Sequence, residues 1–196
     1  MSFKEKSDTD NSTLPPAGGD TQSPSSGGRG QGEGEVSMSE QAMAKVQQFA
    51  EQIQEARKGE DIDYARMTAP CGIPCFECYM YLANGHDEMK ELISQVTGIP
   101  VEMARCRGCR DENGAPEHLP MECRSYSCAQ QKGVDFCCDC GDFPCDFLHP
   151  YLDRATLWHN TKVFSLCQIK KMGLENWARN KARSTRDTYF FGKWTL

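Results

Sequence analysis

Eleven of the twelve cysteines in this chain fall in one stretch, from Cys71 to Cys145. No other feature constrains the fold as strongly. The cysteines form four groups. Cys71, Cys75 and Cys78 lie in "CGIPCFEC", Cys106 and Cys109 in "CRGC", and Cys123 and Cys128 in "CRSYSC". Cys137, Cys138, Cys140 and Cys145 lie in "CCDCGDFPC". A short C-x2-C turn lets two thiolates reach one metal while turn amides point at the sulfurs. One such pair would also suit redox chemistry. Four groups in succession point to metal binding.

Spacing leaves the metal and the pairing open. Cys106, Cys109, Cys123 and Cys128 read C-x2-C-x13-C-x4-C, close to a two-knuckle zinc arrangement, so a closed structural site is expected there. The outer triplets, Cys71/Cys75/Cys78 and Cys137/Cys140/Cys145, each lack one thiolate of a set of four. Three uses of these six remain: a binuclear zinc cluster with bridging sulfurs, one 4Fe–4S cluster borrowing a distant cysteine, or sites that each draw on two distant groups. Zinc is the favoured cofactor and a 4Fe–4S cluster the alternative. The first triplet is expected to find its missing ligand near Cys137 to Cys145.

C-x3-C-x2-C is also the spacing of radical S-adenosylmethionine enzymes. That chemistry needs a cofactor-binding barrel of about 200 residues or more, and too little chain follows Ala69. Glu77 also precedes Cys78, where that class carries an aromatic residue. The radical-enzyme reading is therefore disfavoured. Cys138 abuts Cys137 and is read as a spare or redox-active thiol. Cys167 is read as a buried small hydrophobe. His118 and His149 are read as ordinary loop histidines.

Around the cysteines the chain divides into four. Residues 1–37 are Gly-, Ser-, Pro- and acid-rich and read as a disordered tail. Residues 38–60 hold an amphipathic helix with Met43, Val46, Phe49, Ala50 and Ile53 on one stripe, and Ser37 and Glu40 have capping-box spacing. Residues 61–150 are the cysteine-rich metal-binding core, with a second helix at "HDEMKELISQVTG". Residues 151–196 are basic, with nine Lys and Arg against three Asp and Glu in a chain of net charge −6. Two further helices are expected there, over "PYLDRATLWHNTKVFSLCQIKKMG" and "LENWARNKARS", before an extended aromatic end, "TRDTYFFGKWTL". The fold class is a small α-rich (α+β) cysteine-rich metal-stabilised fold, with zinc-knuckle-like loops packed between helices.

The pieces "APCGIPCFECYMYL", "CRGCR", "MECRSYSCAQQKGVDFCCDCGDFPCDFL" and "IKKMGLENWARN" resemble an uncharacterised cysteine-rich prokaryotic family catalogued as domain of unknown function 3795. The resemblance runs from about Ala69 to Asn180. It implies metal ligands at Cys71, Cys75, Cys78, Cys106, Cys109, Cys123, Cys128, Cys137, Cys140 and Cys145. Cys138 takes a place the family does not reserve for cysteine.

Catalytic carboxylate pairs, a Ser-His-Asp order and a phosphate loop are not readable in the sequence. A non-enzymatic binding or adaptor module is the favoured function. The alternative is an iron–sulfur protein in redox or cluster transfer. The acidic body argues against general nucleic-acid binding, while the basic C-terminal helices suit a protein partner. No apolar run is long enough to span a membrane, and cysteine-dense chains without a secretory signal are expected in the cytoplasm.

Overall fold

The computed structural model describes residues 38–155, 157–193 and 195, with side chains from residue 41 onward. The expected tail over 1–37 and the Ser37–Glu40 capping pair lie outside the described residues. Seven α-helices are described: α1 Met38–Ala56, α2 Tyr79–Leu82, α3 Asp87–Thr97, α4 Arg124–Lys132, α5 Lys162–Met172, α6 Leu174–Asn180 and α7 Ala182–Phe191. Short 3-10 turns fill several of the intervals. Among the described residues there is no strand, only an isolated bridge between Thr68 and Pro74. The β component of the α+β expectation is therefore absent there. None of these helices is long and apolar enough to cross a membrane.

Two apolar clusters organise the molecule. The first joins α1, α2 and α3. Good helix formers fill α1, and its stripe buries Ala42, Val46 and Ala50. Against them lie Tyr79, Leu82, Met89, Leu92 and Ile93. Acidic Asp87 and Glu88 complement the start of α3, and Gly98, at φ 75°, closes its end by donating to the Ser94 carbonyl at 2.8 Å. Each fully buried Leu, Ile or Met stabilises by about 1.5–3 kcal/mol.

The second cluster lies under the cysteine turns. It gathers Phe76, Phe136, Leu148, Leu166, Ile169 and Trp177, and Cys71 and Cys138 are part of it. Gly72 sits at φ 84°, where a Cβ would come within 2.9 Å of Leu166 Cγ. Only glycine lets the first cysteine turn lie this close to α5.

The C-terminal end departs from expectation. Residues 182–191 form α7 where the aromatic run "TYFF" suggested an extended segment. Arg186 decides this: its side chain is 0% exposed and bonds Glu77 at 2.7 Å and Asp187 at 2.8 Å. The guanidinium also lies 5.5 Å from the Tyr79 ring centroid. One helical turn on, Phe190 packs against Tyr79 and edge-on to Trp158. Burying a cation against a distant carboxylate overrides the local β preference. The expected helix from Pro150 begins only at Lys162, after 3-10 turns at Leu152–Arg154 and Trp158–Thr161. Helix α4, within the third cysteine group, was not expected at all. Cys167 is exposed, not buried.

Candidate metal centre

All twelve cysteines are free thiols. Their turns are tied to one another through the backbone. The Cys75 amide donates to the Met67 carbonyl at 2.8 Å, closing the first turn. The Cys137 amide donates to the Pro70 carbonyl at 2.8 Å, which lays the fourth group beside Cys71. Gly114 donates to the Cys109 carbonyl at 2.8 Å and accepts from the Cys123 amide at 2.7 Å, joining the second group to the third. Gly114 has φ 77°, and a Cβ there would meet the Tyr126 ring at 2.5 Å.

Backbone amides converge on the sulfurs in a repeated manner. The Gly108 amide donates to Cys106 Sγ at 3.3 Å and the Asp142 amide to Cys140 Sγ at 3.4 Å. The amides of Ile73, and of Met80 and Tyr81, approach Cys71 and Cys78 more loosely and favour their thiolates electrostatically. In each case the donor two residues beyond the cysteine takes part. A neutral thiol gains little from such donors, whereas a thiolate is stabilised by them.

Thiols from different groups act on one another. Cys75 and Cys109 adjoin: the neighbouring thiol holds Cys75 below the usual thiol range, and the same contact pushes Cys109 up. Burial, with Cys75 next, pushes Cys78 up to about 11. Cys106 is raised by burial and then by Cys78, with Cys75 also acting. Cys128, Cys137, Cys140 and Cys145 line a single small cavity of about 20 Å³ together with Phe147 and Leu148. Burial, then the thiols of Cys71, Cys145 and Cys128, push Cys137 up to about 12. Burial raises Cys71, the Lys162 ammonium opposes that, and the Cys123 thiol adds to it.

The backbone thus joins the second cysteine group to the third through Gly114 and the fourth to the first through Pro70, while the thiols of Cys75 and Cys109 couple the first group to the second. Among the described residues no three Cys, His, Asp or Glu side chains are gathered tightly enough to hold an ion as they stand.

Three cations frame the sulfurs, and sequence spacing did not single them out. Arg110 donates to the Thr68 carbonyl at 3.0 Å and the Asp135 carbonyl at 2.7 Å, and its guanidinium lies over Phe136. It rivets the Cys71, Cys109 and Cys137 segments together. Its place directly after Cys109 in "CRGCR" was the available signal. Lys162, buried at the start of α5, acts on both Cys71 and Cys137. Lys132 reaches Cys140 Sγ at 3.5 Å and pairs with Asp142. Burial pushes Cys138 up to about 11, and it lies in the apolar cluster against which Cys109, Cys137 and Cys145 pack. His149 is exposed and stacks on Tyr151, while His118 is half-buried and lowered by burial.

The donor chemistry fits a soft divalent ion or cluster: buried and half-buried sulfurs, amides donating to two of them, and cations nearby. No curated protein and no solved structure matches the chain. The trailing "IKKMGLENWARN" piece falls outside the region that a family model covers. Over residues 67–150 the chain matches the family described as "Protein of unknown function (DUF3795)", the family its cysteine spacing resembles.

Proposed function

We propose that this cysteine-rich protein binds metal through its grouped thiolates, zinc ahead of iron–sulfur, and acts as a binding or adaptor module. The observation that carries the reading is the pair of amides that donate to sulfurs two residues back, Gly108 to Cys106 and Asp142 to Cys140. Such donors suit anionic sulfur, and metal is what keeps a buried thiolate anionic. The ligands in this reading are Cys71, Cys75, Cys78, Cys106, Cys109, Cys123, Cys128, Cys137, Cys140 and Cys145. Closed four-thiolate sites would be structural and would leave no open position for a water nucleophile, which favours a non-enzyme. The partner surface in this reading is the basic face of the C-terminal helices, where Lys171, Arg179 and Lys181 are exposed. A reducing compartment suits free thiols.

Anaerobic purification followed by elemental analysis and a visible spectrum tests this. Stoichiometric zinc in a colourless preparation is expected. A brown protein with broad visible absorbance and bound iron would replace zinc by the iron–sulfur alternative. A preparation with neither metal, and unable to take up zinc when reduced, would overturn the reading.

A further inference from the structure

Two cysteines stand outside the ten proposed ligands, and the fold brings their segments into one contact. Cys138 lies in the fourth cysteine turn and Cys167 on α5. The turn packs on the helix: Cys138 shares its apolar cluster with Leu166 and Ile169 of α5. From the same helix Lys170 donates to the Cys138 carbonyl at 3.2 Å. Cys167 precedes Lys170 by three positions, so the two are neighbours on one flank of α5. Val163, one turn before Cys167 on that flank, packs against the same cluster.

The two thiols differ in what can reach them. Cys138 is 1% exposed, whereas Cys167 is exposed. Cys138 nevertheless lies close beneath the surface. Its Sγ is 3.9 Å from the Oδ1 of Asp139, and Lys170 and Cys167 also act on it. Asp139, Lys170 and Cys167 are all exposed. Cys137 and Cys140 line the small cavity with Cys128 and Cys145, and Cys138 is not part of that lining. Between two proposed ligands, then, one cysteine is set against α5 instead.

We propose that Cys138 and Cys167 form an oxidative modification site, in which exposed Cys167 reacts with hydrogen peroxide and buried Cys138 resolves the product into a disulfide. The Cys167 sulfur attacks a peroxide oxygen: an S–O bond forms, the O–O bond breaks, and water leaves, giving a sulfenic acid. The Cys138 sulfur then attacks the sulfenic sulfur: an S–S bond forms, the S–O bond breaks, and the departing hydroxide takes up the Cys138 thiol proton as a second water. In sum two thiols lose two electrons and two protons, and one peroxide becomes two waters. An exposed thiol with a second thiol behind it is the arrangement that captures a sulfenic acid before it is oxidised further. A disulfide needs its two backbones held close, and the Lys170 bond and the shared cluster supply that hold at this point. The bridge staples the fourth cysteine turn to α5 and consumes none of the proposed ligands. The proposal therefore stands apart from the metal-binding reading.

Peptide mapping of the anaerobically purified full chain, treated with substoichiometric hydrogen peroxide and alkylated without reduction, tests it. The wild type should yield a linked peptide joining Cys138 to Cys167, and dithiothreitol should abolish it. That readout needs no variant to fold and is the same with or without bound metal. In Cys138→Ser the linked peptide should be lost, and Cys167 should become labelled by dimedone and pass on to sulfinic acid. In Cys167→Ser, Cys138 should stay unmodified at the same dose. Cys167 driven to sulfinic acid in the wild type with Cys138 still free would overturn the proposal. A bridge from either thiol to any other cysteine, or no reaction at either, would overturn it as well.

Discussion

The α1–α3 region and the cysteine turns of residues 67–78 and 105–150 are built on different principles. In the first, Ala42, Val46 and Ala50 interlock with Met89, Leu92 and Ile93 through apolar surface alone. In the second, several short segments cross, most of the cysteines lie only half-buried, and turns are tied by single backbone hydrogen bonds. The apolar cluster below those turns is completed from outside them, by Leu166, Ile169 and Trp177. One region can hold itself by burial. The other has the shape of a scaffold completed by what its sulfurs bind.

The sharpest way to break this comparison is to strip metal from the loaded protein with a chelator. Structural zinc contributes on the order of 10 kcal/mol in small metal-folded domains. Hydrogen exchange should then show lost protection over residues 67–78 and 105–150, while the amides of α1 and α3 stay protected. Equal loss in both regions would mean that the division is wrong. Next in size is Arg186→Met, which leaves buried Glu77 with only the exposed Arg183, at 3.5 Å, as a cation and should cost about 3–5 kcal/mol in urea unfolding. Pairing it with Glu77→Gln should recover much of that loss. Met89→Ala, in the first region, should cost about 2–5 kcal/mol and do so equally with and without metal. Gly114→Ala places a Cβ on Tyr126 at positive φ and should cost about 1–3 kcal/mol, with metal retention falling in parallel. Smallest is Lys132→Ala: loss of the exposed pair with Asp142 should leave the urea midpoint essentially where it was.

The same division governs what could be read from the sequence. Periodicity located α1 and α3, because a buried stripe repeats at the helical spacing whatever it packs against. The fall of α6 over "LENWARN" was legible for the same reason. Helix α7 was not, because its determinant is one arginine whose partner lies 109 positions earlier. Helix α4 escaped because it is only nine residues long and polar, with Ser125 and Ala129 buried. Spacing identified the cysteine groups but could not pair them. A C-x2-C motif fixes the distance between its own two sulfurs and says nothing about which other group turns to face it. That choice is made by Arg110, Gly114 and the Pro70 carbonyl, none of which is a sulfur.

The Glu77–Arg186 pair also has a meaning in time. Glu77 adjoins Cys78, and its cation is made 109 residues later. At ribosomal speeds that interval is on the order of ten seconds. The last helix therefore acts as a clasp on the turn holding Cys75 and Cys78, and it fastens only after all twelve thiols have been synthesised.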